Sequence, residues 1–176
     1  LFGTGRSIKF STEYKQTGDS RYSLSLTTPY WFDTLFTNTF SIFSSFIPDD
    51  DYDTTTLGFN YGLSYPIWKD WRASTNYSWR NEQYSNVSSD GEESLGGINN
   101  NSYKSFLTGL KYSTVNNPMF PSNGFEASLN AEQFGGVFGG STDYREYTFN
   151  SRYFKSLNEE ETVIFAIKYN QGYLQE

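Results

Sequence analysis

Aromatic or aliphatic side chains return at every second position through most of this chain, with Ser, Thr, Asn, Lys, Arg or Glu between them. Ile8, Phe10, Thr12 and Tyr14 form one such run, and Tyr22, Leu24 and Leu26 a second. Leu57, Phe59, Tyr61, Leu63 and Tyr65 form a third, and Trp71, Ala73, Thr75, Tyr77 and Trp79 a fourth. Successive side chains of a strand point to opposite faces, so each run has one apolar and one polar face. The pattern predicts nine strands, near 6–16, 21–31, 35–47, 54–66, 70–83, 103–114, 124–134, 144–156 and 161–173. No stretch sustains apolar residues at i, i+3, i+4 and i+7, and the Tyr, Phe, Thr and Val load favours strands, so helix is expected to be nearly absent. The polar stretch from Ser85 to Asn101 is flanked by the same pattern on both sides, so 1–176 reads as one all-β domain.

The connections between these strands alternate in character. One set is short and turn-like: Pro29 to Asp33, Pro66 to Asp70, Asn116 to Gly124 and Ser156 to Glu160. The other is mostly longer and more polar: Pro48 to Asp53, the Ser/Gly/Asn-rich residues 85–102, and the glycine-rich segment from Gly135 to Gly140. Tight turns at one end and long loops at the other are the habit of antiparallel transmembrane β-barrels, with turns in the periplasm and loops outside the cell. That orientation puts Leu1 at the periplasmic end and Glu176 at the outer end. Residues 86–102, with little apolar surface to bury, are expected to be among the most mobile.

Composition decides between a barrel and its soluble counterpart. A β-sandwich shares the period of two, but its strands are shorter, and it rarely devotes 20% of its residues to Phe, Trp and Tyr. The mean hydropathy of −0.65, and the lack of any apolar run of about 18 residues, exclude a helical membrane protein. A barrel strand needs only about 9–11 residues, half of them facing lipid, so low mean hydropathy is compatible with spanning. A net charge of −7 argues against a nucleic-acid partner. With neither Cys nor His in the chain, thiol nucleophiles, disulfides and the commonest general base and metal ligands are missing. No enzyme activity, metal or cofactor is therefore expected. Without a starting Met or a signal-peptide core, Leu1 reads as the start of a mature or trimmed chain. Nine is an odd strand count, and a barrel must satisfy every edge in hydrocarbon, so the strands read as an ordered piece of a larger barrel.

Three motifs carry a family resemblance: Leu1-Phe2-Gly3-Thr4-Gly5 opening a strand, Leu24-Ser25-Leu26-Thr27-Thr28-Pro29-Tyr30 closing the next, and Asn117-Pro118-Met119-Phe120-Pro121-Ser122-Asn123-Gly124 before a later one. In their order and spacing, the chain resembles the barrel of the BamA-type outer-membrane protein assembly family. TamA, the two-partner secretion transporters and the mitochondrial sorting barrel belong to the same superfamily. The resemblance implies a 16-stranded barrel, of which this chain matches about the third to the eleventh strand. Lying outside it are the periplasmic POTRA domains, the first and last strands that form the lateral seam, and the long sixth loop. The resemblance further implies insertion of other barrel proteins into the bacterial outer membrane. Its partners would be outer-membrane lipid, the remaining strands or a second chain, nascent outer-membrane proteins as substrates, and periplasmic assembly lipoproteins. A passive channel, or a shortened or dimeric relative of the same superfamily, is the alternative.

Residue roles follow from the alternation. Phe10, Leu24, Leu26, Phe40, Phe59, Leu63, Tyr77, Leu110, Phe149 and Phe165 are expected to face lipid, joined by Tyr14, Ile42, Phe106, Leu129 and Ile167. Tyr30, Trp31, Trp68 and Trp71, with Phe32 and Phe120, are expected to form a periplasmic aromatic girdle. Arg72, Arg80, Lys111, Arg152 and Lys168, together with Lys9, should point into the lumen and pair across strands with Glu13, Glu126 and Glu132. Pro118, Phe120, Pro121, Asn123 and Gly124 read as a rigid periplasmic turn, Asn123 and Gly124 entering the left-handed region, with docking of a periplasmic domain as the functional alternative. Asp49, Asp50, Asp51 and Asp53 lack the Gly and closing Glu of a calcium loop, and Gly135 to Gly140 lack the Lys-Ser/Thr ending of a phosphate loop. Both read as solvated or flexible loops.

Overall fold

The structure is a computed structural model that describes residues 5–176, so the opening Leu1–Thr4 of the first motif lies outside the described residues. The order of elements is β1 (Ser7–Tyr14), β2 (Ser20–Thr28), β3 (Thr37–Ile47), β4 (Asp53–Trp68), β5 (Trp71–Ser85), a short helix α1 (Ser89–Leu95), β6 (Asn100–Ser113), β7 (Gly124–Phe134), β8 (Tyr144–Ser156) and β9 (Ile164–Gln175). All nine strands lie in one sheet in sequence order, each antiparallel to the next. Among the described residues β1 and β9 do not pair with each other, so the sheet is open.

The register carries the period of two from strand to strand without a slip. Phe10 lies opposite Leu24, Leu24 opposite Ile42, and Ile42 opposite Phe59. Tyr61 lies opposite Tyr77, Tyr77 opposite Phe106, Leu110 opposite Leu129, and Leu129 opposite Phe149. A single-residue slip anywhere would turn the whole apolar set of a strand to the other face. Among the described residues the register shifts once, at a bulge between Pro66 and Trp68, where the proline has no N–H for the ladder and the β4–β5 hairpin closes Trp68 against Trp71.

Two faces of opposite character result, and neither is covered by a second layer. No hydrophobic residue is buried among the described residues; the buried polar ones are Asn38, Thr56, Ser105 and Ser122. Leu129 is 55% exposed and Phe10 67%. The opposite face is lined with Ser, Thr, Asn, Gly and charged side chains, and the sheet curls toward it. Glu13 and Arg21 on β1 and β2 line the same hollow of about 510 Å³ as Thr56 on β4 and Arg80 and Glu82 on β5. Small residues there leave room for neighbours. The Phe43 ring lies over Gly58, and Asn130 and Ser74 reach over Gly109 from the flanking strands.

Helix is not quite absent. α1 occupies the loop between β5 and β6, capped by the Ser88 hydroxyl, which accepts the Gly91 N–H at 3.1 Å, and closed by Gly96 in the left-handed region. Its periodicity is too short to show in the sequence, but Ser88, the acidic Asp90 and Glu92 of its first turn, and Gly96 are ordinary start and stop signals. The loop is held to its neighbour: Ser88 N–H donates to the Asp51 carbonyl at 2.8 Å, and Asn86 donates to the Asp53 carboxylate at 2.6 Å. Gly91 sits so close to the Asp51 carbonyl that a Cβ would collide with it. Residues 86–102 are thus built into a paired loop rather than a featureless polar stretch.

Candidate functional site

The surfaces available for function are the two faces of the sheet and its two ends. On the apolar face the register brings together Phe10, Leu24, Leu26, Phe40, Phe59, Leu63, Tyr77, Leu110, Phe149 and Phe165, with Tyr14, Ile42, Phe106, Leu129 and Ile167 in the same set. Phe59 touches rings on both sides, with centroids 6.3 Å from Phe40 and 5.8 Å from Trp79. The charged residues that share this face within the strands are Asp53, Lys104, Arg145 and Lys155.

Arg72, Arg80, Lys111, Arg152 and Lys168 all lie on the other face. Their pairing is narrower than the alternation predicts. Glu126 takes two partners, Lys111 Nζ at 2.7 Å and Arg152 at 2.8 Å, and sits less exposed than either. Glu13 instead lies 4.0 Å from Lys15, and Arg80 pairs with Glu82 two residues along its own strand while its guanidinium rests over Tyr103. Arg72 donates to the Ser64 hydroxyl at 3.3 Å. Glu132 makes no ion pair among the described residues. Alternation fixes which face a residue takes but not its diagonal neighbour, which depends on register and twist. Charge also divides along the strands. Lys9, Arg72, Lys111, Arg152 and Lys168 stand toward the short-turn end with Glu126, whereas Glu13, Glu82, Glu132 and Glu146 stand toward the long-loop end with Arg21 and Arg80.

At the short-turn end the aromatics gather in rows. Trp71 lies 5.0 Å from Tyr112, Tyr112 6.4 Å from Phe125, Phe36 4.7 Å from Tyr65, and Trp31 4.7 Å from Phe32. Tyr30 and Phe32 both hold left-handed backbone, a conformation that costs an aromatic residue about 1–2 kcal/mol. Tyr112, Phe125, Phe36 and Tyr65 were readable from the same alternation once register is known.

The Pro118–Gly124 turn is organised by amide side chains on either side of its prolines. Asn116 Oδ1 accepts the N–H of Ser122 at 3.2 Å and of Asn123 at 3.1 Å, while Asn117 Oδ1 accepts those of Met119 and Phe120. Gly124 is left-handed (φ +118°), with the Thr114 carbonyl 2.5 Å from where a Cβ would stand. Asn123 is not left-handed; it acts through its side chain, accepting the Ser156 N–H and donating to Glu161. Glu161 also accepts the hydroxyl of buried Ser122 at 2.6 Å, so the β6–β7 and β8–β9 turns form one unit. Glu161 and Ser122 have no local sequence signal, being 39 residues apart. Phe120 and Met119 project from this unit, 76% and 80% exposed.

At the long-loop end the glycine segment is folded rather than loose. Gly135 N–H donates to the Lys104 carbonyl at 2.8 Å and Ser141 N–H to the Ser102 carbonyl at 2.7 Å. The fold lays Phe138 on the apolar face, stacked on Phe106 at 5.4 Å and 6.3 Å from Tyr77. The aspartates near residue 50 hold the neighbouring loop, and no cluster of three or more metal-ligating side chains occurs among the described residues.

A continuous uncovered apolar face, a charged concave face and a two-ended loop pattern describe a barrel wall, and comparison with known proteins places it. No curated protein sequence matches the chain. Among solved structures, the crystal structure of BamA from Haemophilus ducreyi lacking POTRA domains 1–3 superposes with a TM-score of 0.73 at 18% identity, over 98% of this chain and 36% of that one. The chain therefore spans about a third of that structure, and its open nine-stranded sheet has the fold of a stretch of the BamA barrel. The Omp85 superfamily domain matches residues 1–176, from end to end, and the chain belongs to that superfamily.

Proposed function

We propose that these residues form part of the wall of an outer-membrane β-barrel that inserts other barrel proteins, in the manner of BamA. The observation that carries the reading is the continuous apolar face, with no buried hydrophobic residue beneath it among the described residues. In water such a face would be a very large exposed patch, far beyond the few hundred Å² that soluble monomers tolerate. In a bilayer it is the lipid-facing wall, and the concave polar face becomes the lining of a wet lumen. The aromatic rows at the short-turn end then take the periplasmic interface and the long loops face outward. On this reading no bond-making chemistry falls to the chain. Its wall supports a seam formed by other strands, where exposed ladder groups offer β-augmentation to an incoming chain.

Depletion and rescue test the proposal. Loss of the full-length parent should prevent other barrel proteins from appearing in the outer membrane, and a disulfide tying the parent's first strand to its last should block the rescue. Normal barrel assembly in its absence, with reduced small-solute uptake, would favour a passive channel. Protease added to intact cells should cut within residues 86–102 and spare Pro118 to Gly124; the reverse pattern would invert the orientation.

A further inference from the structure

Two shallow grooves run along the apolar face, and they differ at one end. The first is bounded by Phe10, Tyr22, Leu24, Ile42 and Leu57, and no charged residue lines it. The second, about 220 Å³, crosses β6, β7 and β8. Thr108 and Ala131 lie opposite each other and make its floor, while Phe106 and Tyr147 make its walls. Toward the loops it is closed by Gln133 and Arg145, which are opposite each other in the next row, and Glu132, which the register assigns to the polar face, also lines it.

Cations on this face are an anomaly, because a charge at the edge of hydrocarbon is costly unless an opposite charge meets it. Arg145 lines the groove and Lys104 lies just beyond its loop end, its Nζ beside Gly139; neither makes an ion pair among the described residues. Arg145 Nε donates to Gln133 Oε1 at 2.7 Å, a contact that aims the guanidinium, and on its loop side Arg145 shares a hollow with Asp143 and Glu176 without pairing with either. The nearby carboxylate of Asp143 is engaged by the Gln133 amide at 3.0 Å. Lys104 stands two residues toward the loops from Phe106, beneath the 135–143 segment whose Phe138 stacks on that ring. β6 and β8 are two strand spacings apart, about 10 Å, a gap that two long cationic side chains can close around one phosphate.

We propose that this groove binds one phosphate-bearing anionic lipid of the leaflet at the long-loop end. Its acyl chain would lie along Thr108 and Ala131 between Phe106 and Tyr147, with its phosphate held between Arg145 and Lys104. The apolar groove by Phe10 and Leu57 can take an acyl chain but offers a headgroup no charge. The inference rests on the reading that the apolar face meets lipid.

The test uses the full-length parent, extracted in detergent and offered phosphatidylglycerol or phosphatidylcholine, with retained lipid counted by native mass spectrometry. Retention of phosphatidylglycerol should exceed that of phosphatidylcholine and fall about 25-fold in the Lys104→Gln/Arg145→Gln double variant, since each cation near an anionic lipid is worth about fivefold. The Lys155→Gln variant, which removes a cation from the other end of the same face, should retain it as the parent does. Equal retention in the double variant, no preference over phosphatidylcholine, or displacement by millimolar inorganic phosphate would each overturn the site. A spin label at Leu129→Cys, unique in these 176 cysteine-free residues, separates the two readings. Exposure of that label to oxygen dissolved in the bilayer, without anionic preference in the groove, sinks the site alone; a label exposed only to water sinks the lipid-facing reading as well.

Discussion

The two faces of this sheet are made from the same strands, yet they specify the fold in different ways. The apolar face is specified by hydrophobicity: large side chains recur on it along every strand, in places directly opposite one another as Phe10 and Leu24 or Leu129 and Phe149, and half or more of the surface of Leu129 and Phe10 remains open. The polar face is specified by size, because the sheet curls toward it and Gly58, Gly62 and Gly109 accept the side chains of adjacent strands. One face is tuned to its solvent and the other to its curvature.

The largest effect should come from breaking the first rule. Leu63→Arg places a cation on the apolar face between Asn38 and Thr75, and should cost roughly 2–4 kcal/mol in a bilayer. Asn76→Arg, one register step away on the polar face, should be mild. Urea unfolding of the full-length parent in vesicles measures both, and equal costs would remove the distinction between the faces. The second rule is broken by Gly58→Ala, whose new Cβ would meet the Trp79 carbonyl at 2.6 Å and collide with the Phe43 ring. Overpacking of this kind costs about 1–3 kcal/mol, although alanine is scarcely more polar or apolar than glycine. A neutral result would show that the curl is not set by that contact.

Electrostatics on the polar face should matter less. Glu126→Gln removes the shared carboxylate of Lys111 and Arg152, both nearly half exposed, so solvent screens the pairs and the loss should be about 0.5–1 kcal/mol. Its dependence on salt is the sharper readout: the difference from the parent should shrink as ionic strength rises. A salt-independent loss would point to packing instead.

Much of this could be read from the chain. The period of two gave all nine strands, because a strand with one apolar and one polar face must alternate its chemistry at every step. The sheet was legible from that period, whereas the superfamily resemblance came from the three motifs and their order. Less legible was whatever depends on partners distant in sequence. The Glu161 bridge to Ser122 and Asn123 links two turns that no local pattern connects, and Glu126 rather than Glu13 or Glu132 gathers the cations. The folding of Gly135–Gly140 onto Lys104 and Phe106 was hidden too, since glycine advertises freedom whether or not tertiary contacts use it. Tyr30 and Phe32 show the converse: aromatic residues held left-handed, which a propensity argument would place elsewhere.

The smallest effect is expected where neither rule applies, in the exposed β1–β2 turn. The Thr17 hydroxyl, 2.9 Å from the Asp19 carboxylate, and the Lys15 ammonium, 3.2 Å from it, hold that carboxyl below its ordinary value. A carboxylate whose folded pKa is depressed stabilises the folded state above its unfolded pKa, and that contribution is lost as pH falls through the folded value. The window is therefore acidic, at and below the usual aspartate range near pH 3.8. Asp19→Asn should lower neutral-pH stability slightly and flatten the loss of stability toward acid by the same small amount. An NMR titration of the Asp19 carboxyl in the parent should give a midpoint below that of a free aspartate. A midpoint at or above the ordinary value would mean that the Thr17 and Lys15 contacts do not persist, and that this turn contributes nothing to the acid response of the wall.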